Sequence, residues 1–108
     1  MNRLAPIPLP VTLTGGSTLA ATTTTASGTL AGSNVVALAA GSRTYLRITA
    51  PATNANSIWF ALGSAATTAF PSIEIKPGGS EVWQSGFAPS NSVNINGTTG
   101  DKWIVISS

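Results

Sequence analysis

From Asn34 onward, apolar and polar side chains alternate with a period of two in short runs, and no segment of the chain repeats with the 3.6-residue period of a helix. Val35-Val36-Ala37-Leu38-Ala39 is a strand bounded by Gly41-Ser42, and Arg43-Thr44-Tyr45-Leu46-Arg47-Ile48-Thr49 is a second, stopped by Pro51. In the second run Leu46 and Ile48 face a core while Tyr45, Arg47 and Thr49 face away. After the turn Asn54-Ala55-Asn56, the run Ser57 to Leu62 puts Ile58, Phe60 and Leu62 on one face and Trp59 on the other, and Gly63-Ser64 ends it. The same reading gives strands at Ser92 to Asn96 and Lys102 to Ile106, joined by Gly97-Thr98-Thr99-Gly100-Asp101. Ser72 to Lys76 and Glu81 to Gln84, separated by Pro77-Gly78-Gly79-Ser80, form the clearest hairpin pattern, because Pro and two glycines supply the turn dihedrals. In that hairpin Lys76 stands opposite Glu81 and Ile75 opposite Val82, pairing charges on one face and aliphatics on the other.

The first third is less regular. Val11 to Thr14 predicts a short strand ended by Gly15-Gly16, and the run Thr22-Thr23-Thr24-Thr25 resists helix, although Thr and Ala from 15 to 33 suit a loop as well as an edge strand. Ala5-Pro6-Ile7-Pro8-Leu9-Pro10 reads as an extended arm, since each Pro fixes its own φ and biases the residue before it toward extended backbone. The arm is either a frayed terminus or a strap whose Leu4, Ile7 and Leu9 insert into a neighbouring molecule. Seven to nine short strands with turns about every ten residues predict an all-β protein: a single β-sandwich or jelly-roll-like domain over 11–108, preceded by the arm, 1–10.

Composition changes the picture of the surface. Hydrophobic residues reach 43% and charged residues only 7%, against roughly 25% charged in ordinary soluble proteins. Ala (16), Thr (15), Ser (13) and Gly (11) make up about half the chain and must cover most of its exterior. The net charge is +2, with the basic residues Arg3, Arg43, Arg47, Lys76 and Lys102 scattered. That scatter lacks the basic stripe nucleic-acid binding requires. Absence of Cys removes disulfides and thiolate metal sites. Pro6, Pro8 and Pro10 interrupt any signal-peptide core, and no 18-residue apolar run predicts a membrane span.

Catalysis by general acid, base or nucleophile calls on His, Cys, Lys or carboxylates held beside an orienting partner. The chain has no His, no Cys and only the carboxylates Glu74, Glu81 and Asp101, so it reads as a non-enzyme without cofactor or metal. Asn96-Gly97-Thr98, formally a glycosylation triplet, reads as a turn. Trp59, Trp83 and Trp103 stand on three predicted strands among small residues. They fill the core, or Trp59 and Trp83 point outward as interface anchors; an exposed Trp also suits a carbohydrate platform.

Asn56-Ser57-Ile58-Trp59, followed by Ile75-Lys76-Pro77-Gly78-Gly79-Ser80 and by Gly97 to Trp103, resembles small structural proteins of tailed bacteriophages, in which an N-x-I-W/Y strand leads to a P-G-x-S hairpin and a closing strand after a Gly-rich turn. The likeness covers about the last 65 residues. It implies a capsid decoration or cement protein, a homotrimer on the virion surface, partnered by the major capsid protein and assembled in the bacterial cytoplasm; the alternatives are another virion part, such as a head fibre base or a tail or adaptor component, and a carbohydrate-binding β-sandwich module. Leu4, Ile7, Leu9, Trp59 and Trp83 are the expected interface residues.

Overall fold

β-Branched side chains sit well on a pleated surface, and the runs richest in them are the strands. The computed structural model describes residues 22–84 and 86–108; the arm and the strand expected at 11–14 lie outside the described residues. Eight strands follow in order: β1 (Thr24–Thr29), β2 (Val35–Leu38), β3 (Leu46–Thr49), β4 (Ile58–Leu62), β5 (Ile73–Ile75), β6 (Ser80–Trp83), β7 (Val93–Gly97) and β8 (Lys102–Ser107). The Thr run is thus partly strand, its last two residues opening β1.

Two four-stranded sheets, ordered β1-β8-β3-β6 and β2-β7-β4-β5, face each other, and every pairing is antiparallel. First pairs with last, second with seventh, third with sixth and fourth with fifth, as if one long hairpin bent at β4–β5 had been rolled up. Rolling adds the joins β3 to β8 and β4 to β7. This is a jelly roll, and no helix occurs among the described residues.

The core lies between the sheets. Leu46 and Ile48 from β3, Ile58 and Phe60 from β4, Val93 and Ile95 from β7 and Val105 from β8 are essentially inaccessible to water. Each contributes roughly 1.5–3 kcal/mol of apolar burial, as the alternation of the sequence predicts. Trp103 is buried as well and lies over Gly28 of β1, where a Cβ would come within 2.7 Å of the indole. Only Gly fits there, on the strand that closes the sheet edge over the largest core ring.

The expected hairpin does not form. β5 pairs with β4 and β6 with β3, so the chain from Ile75 to Ser80 is an arch between the two sheets. Gly78, at φ +86°, donates its N–H to Ala50 O at 2.7 Å, and Ala50 N–H donates to Gly79 O at 3.0 Å, which ties the arch to the end of β3. Ile75 is buried, Val82 lies on the outer face, and Lys76 reaches Glu74 at 3.4 Å in place of Glu81. Reversing the chain takes the same Pro and Gly residues whether the strands then pair or separate. The segment Thr98 to Asp101 likewise joins β7 to β8 across the sheets.

Candidate functional site

Antiparallel neighbours send successive connections to alternate ends of the sandwich. One end carries the loops after β1, β3, β5 and β7 and is stitched shut by polar groups. Asp101, buried, accepts the N–H of Ala55 on one carboxyl oxygen and that of Asn56 on the other, both at 3.0 Å. Asn54 donates to Lys102 O at 2.7 Å and accepts from Lys102 N–H at 2.8 Å. Leu30 N–H donates to Asp101 O at 2.7 Å. Three loops are thereby held together.

The other end carries the loops after β2, β4 and β6, longer on average, together with the start of the described chain, since Thr24 pairs with Ser107. Arg43 donates to the carbonyls of Pro89, Asn91 and Ala39 at 2.6, 2.9 and 2.7 Å, a cation satisfied by dipoles; partial burial lowers its pKa. Here Phe70, between β4 and β5, is 93% exposed and Phe87, between β6 and β7, is 82% exposed. Both lie outside any alternating run, next to Pro71 and near Pro89, and that context is the signal by which sequence reading could have singled them out. A cleft of about 290 Å³ lined by Phe60, Leu62, Pro71 and Ile73 opens beneath the Phe70 loop.

The three tryptophans have three settings. Trp103 is core. Trp83 is registered with Leu46 and meets the Phe60 ring edge-on, centroids 5.7 Å apart, so of its two readings the inward one holds and the outward anchor is not found: its strand lies in the other sheet from β5, and its odd positions face in. Trp59 does point outward, registered with Glu74 of β5 and Asn96 of β7. Leu4, Ile7 and Leu9 lie outside the described residues.

The outer face bearing Trp59 is partly covered by the loop from Gly63 to Ser72. Asn34 accepts from Ala66 N–H at 2.7 Å, Asn96 donates to Ala66 O at 2.9 Å, and Asn34 donates to Asn94 at 3.3 Å. Asn94 is buried in consequence, although its alternation reads as a solvent face. Beside this covered strip a polar cleft of about 500 Å³ is lined by Trp59, Glu74, Asn56, Ser57, Thr68 and Thr98. The Ser57 hydroxyl donates to Glu74 Oε2 at 2.6 Å, and together with Lys76 it holds the Glu74 carboxyl below its ordinary range. Glu74 is therefore an acceptor and a poor proton donor at neutral pH. Among the described residues, no group of three or more His, Cys, Asp or Glu side chains is placed to hold a metal ion.

No family model matches the chain, and no curated protein does. Among solved structures it is similar to a protein from work described as "Bacillus endospore appendages form a novel family of disulfide-linked pili". That match has 15% sequence identity and a TM-score of 0.51, and covers 81% of this chain and 85% of the other. At such identity the likeness concerns the fold.

Proposed function

We propose that the chain is a non-enzymatic structural protein that acts by assembly, as a decoration or cement protein attached to the major capsid protein of a tailed bacteriophage, its own copies associating as a trimer at the virion surface. The exposed Phe70 and Phe87 at one end of the sandwich carry this reading. Two aromatic rings standing in water on so small a domain are what a covered surface presents before it is covered. The chain also enters its first described strand at this end, since Thr24 pairs with Ser107. Low charge supports an attachment that depends little on salt. The structural neighbour supports a part in assembly more generally, because it belongs to pili; its disulfide linkage is not carried over, since these 108 residues contain no Cys.

Purified protein added to phage shells lacking a decoration protein should bind at fixed stoichiometry and raise the temperature at which the shells come apart. Phe70→Ser with Phe87→Ser should abolish binding, and deletion of residues 1–10 should weaken it without unfolding the domain. Absence of binding and an unchanged shell melting temperature would reject the capsid role.

A further inference from the structure

The polar cleft on the outer face of the β2-β7-β4-β5 sheet lies apart from the end that carries the assembly reading, and its chemistry is different. Its floor is the outward Trp59 of β4, and the carboxylate of Glu74 stands beside the ring on the neighbouring strand. Ser57 and Lys76 both engage Oε2 of Glu74, so among the described residues Oε1 has no partner. The Asn56 side-chain amide and the hydroxyls of Thr68 and Thr98, which complete the rim, also have no hydrogen-bond partner among the described residues. An aromatic face is thus surrounded by an anionic acceptor, an amide and two hydroxyls with hydrogen-bonding capacity to spare.

We propose that this cleft binds a neutral saccharide, one pyranose ring lying on Trp59 with its hydroxyls donating to Glu74 Oε1 and exchanging hydrogen bonds with Asn56, Thr68 and Thr98. A pyranose has an apolar C–H face that packs on an indole and an equatorial ring of hydroxyls that both donate and accept, which matches a floor and rim of these two kinds. An acidic sugar or a nucleotide would bring its charge against Glu74, and Lys76, the cation that pairs with it among the described residues, is already 3.4 Å from that carboxylate. The volume, about 500 Å³, holds one or two sugar rings and falls within the usual range of small-molecule sites.

Full-length protein titrated with cellotetraose, maltotetraose and chitotetraose, followed by calorimetry and by Trp fluorescence, should show saturable binding to at least one of them. Trigalacturonic acid should bind at least tenfold more weakly. Trp59→Ala should weaken binding at least tenfold; Glu74→Gln should weaken it several-fold, because charge-assisted hydrogen bonds are about twice as strong as neutral ones, and Asn56→Ala several-fold through loss of the amide's hydrogen bonds. Trp83→Phe should keep both the affinity and the fluorescence change, which excludes Trp83 as the source of the signal. If Trp59→Ala unfolds, the two rim variants decide, as both residues are exposed. No saturable binding of any neutral tetrasaccharide up to about 10 mM, rim variants that bind as the parent does, or equal binding of trigalacturonic acid would each overturn the proposal. Shell attachment is unaffected by any of these results.

Discussion

The two ends of the jelly roll solve one problem in opposite ways. At the end joining β1 to β2, β3 to β4, β5 to β6 and β7 to β8, the backbone groups of the loops are tied to one another: Asp101 takes two N–H groups and Asn54 makes a reciprocal pair with Lys102. At the other end the loops are longer on average, Arg43 holds three carbonyls of flanking segments, and two phenylalanines are left in water. Both ends must satisfy buried polar backbone. Among the described residues the first does so while hiding its apolar groups, whereas the second leaves Phe70 and Phe87 exposed, the feature on which the proposed attachment rests.

The contrast fails if the closed end is not the more costly one to disturb. Asp101→Ala removes acceptors from two N–H groups and leaves a hole under three loops, so it should destabilise by about 2–4 kcal/mol. At about 4–8 °C per kcal/mol for a domain of this size, thermal unfolding should fall by at least 10 °C or so. A drop of only a degree or two would mean that the loops hold without the clasp. Arg43→Ala, the counterpart at the open end, should cost less, about 1–2 kcal/mol, because the freed carbonyls lie near the surface and recover water. Arg43→Lys should restore under half of that loss, since a single ammonium cannot reproduce a planar fork aimed at three oxygens. Denaturant unfolding of the three proteins tests both statements.

Phe70→Ser and Phe87→Ser should shift stability by no more than about 0.5 kcal/mol, as surface substitutions do, while self-association and shell attachment, read by light scattering and sedimentation, disappear. Should either variant lose more than 1 kcal/mol or so, that ring would be packing for the fold and the open end would need no partner.

How much of this could be seen in the sequence depends on whether the determinant is local. The strands were legible because Leu46 with Ile48, and Ile58 with Phe60, obey a period of two between turn residues. Every described strand after β1 has its ends within three residues of their expected places, and the fold class follows. Partner choice was not legible. Pro77-Gly78-Gly79-Ser80 reverses the chain equally well in a hairpin and in an arch, and the apparent match of Lys76 with Glu81 was an accident of spacing. What separates the two is where Trp83 must go: its ring is wanted inside against Phe60, and that preference arises from the other sheet. The polar strip of Asn94 and Asn96 was misleading for the same reason, because alternation reports which side a residue faces and not what covers that side. Trp59 takes the outward one of the two settings that its sequence leaves open. Its companions Asn56, Thr68, Glu74 and Thr98 come from four separate stretches and meet only once the roll is closed.

The smallest expected effect concerns the exposed carboxylate near the closed end, and it compares one anchored acid with another on the same side of the molecule. Glu74 sits on β5 just before the arch, and its partner Ser57 lies in the turn between β3 and β4, so their hydrogen bond at 2.6 Å joins β5 to one of the loops that Asp101 ties from within. The Ser57 hydroxyl, and less strongly Lys76, stabilises the charged form and lowers the Glu74 pKa from its ordinary value of 4.5. A carboxylate whose pKa is depressed on folding adds stability above its unfolded pKa and loses it as pH falls through the folded value. The increment should therefore be complete near neutrality and fade below about pH 4.5. Ser57→Ala removes its largest cause. The gap in unfolding temperature between the parent and Ser57→Ala should be small at pH 7, as expected of an exposed group, and smaller still at pH 3. A gap that stays constant across this range would show that Ser57 acts through packing in the turn and that the stitching of the closed end rests on Asp101 and Asn54 alone.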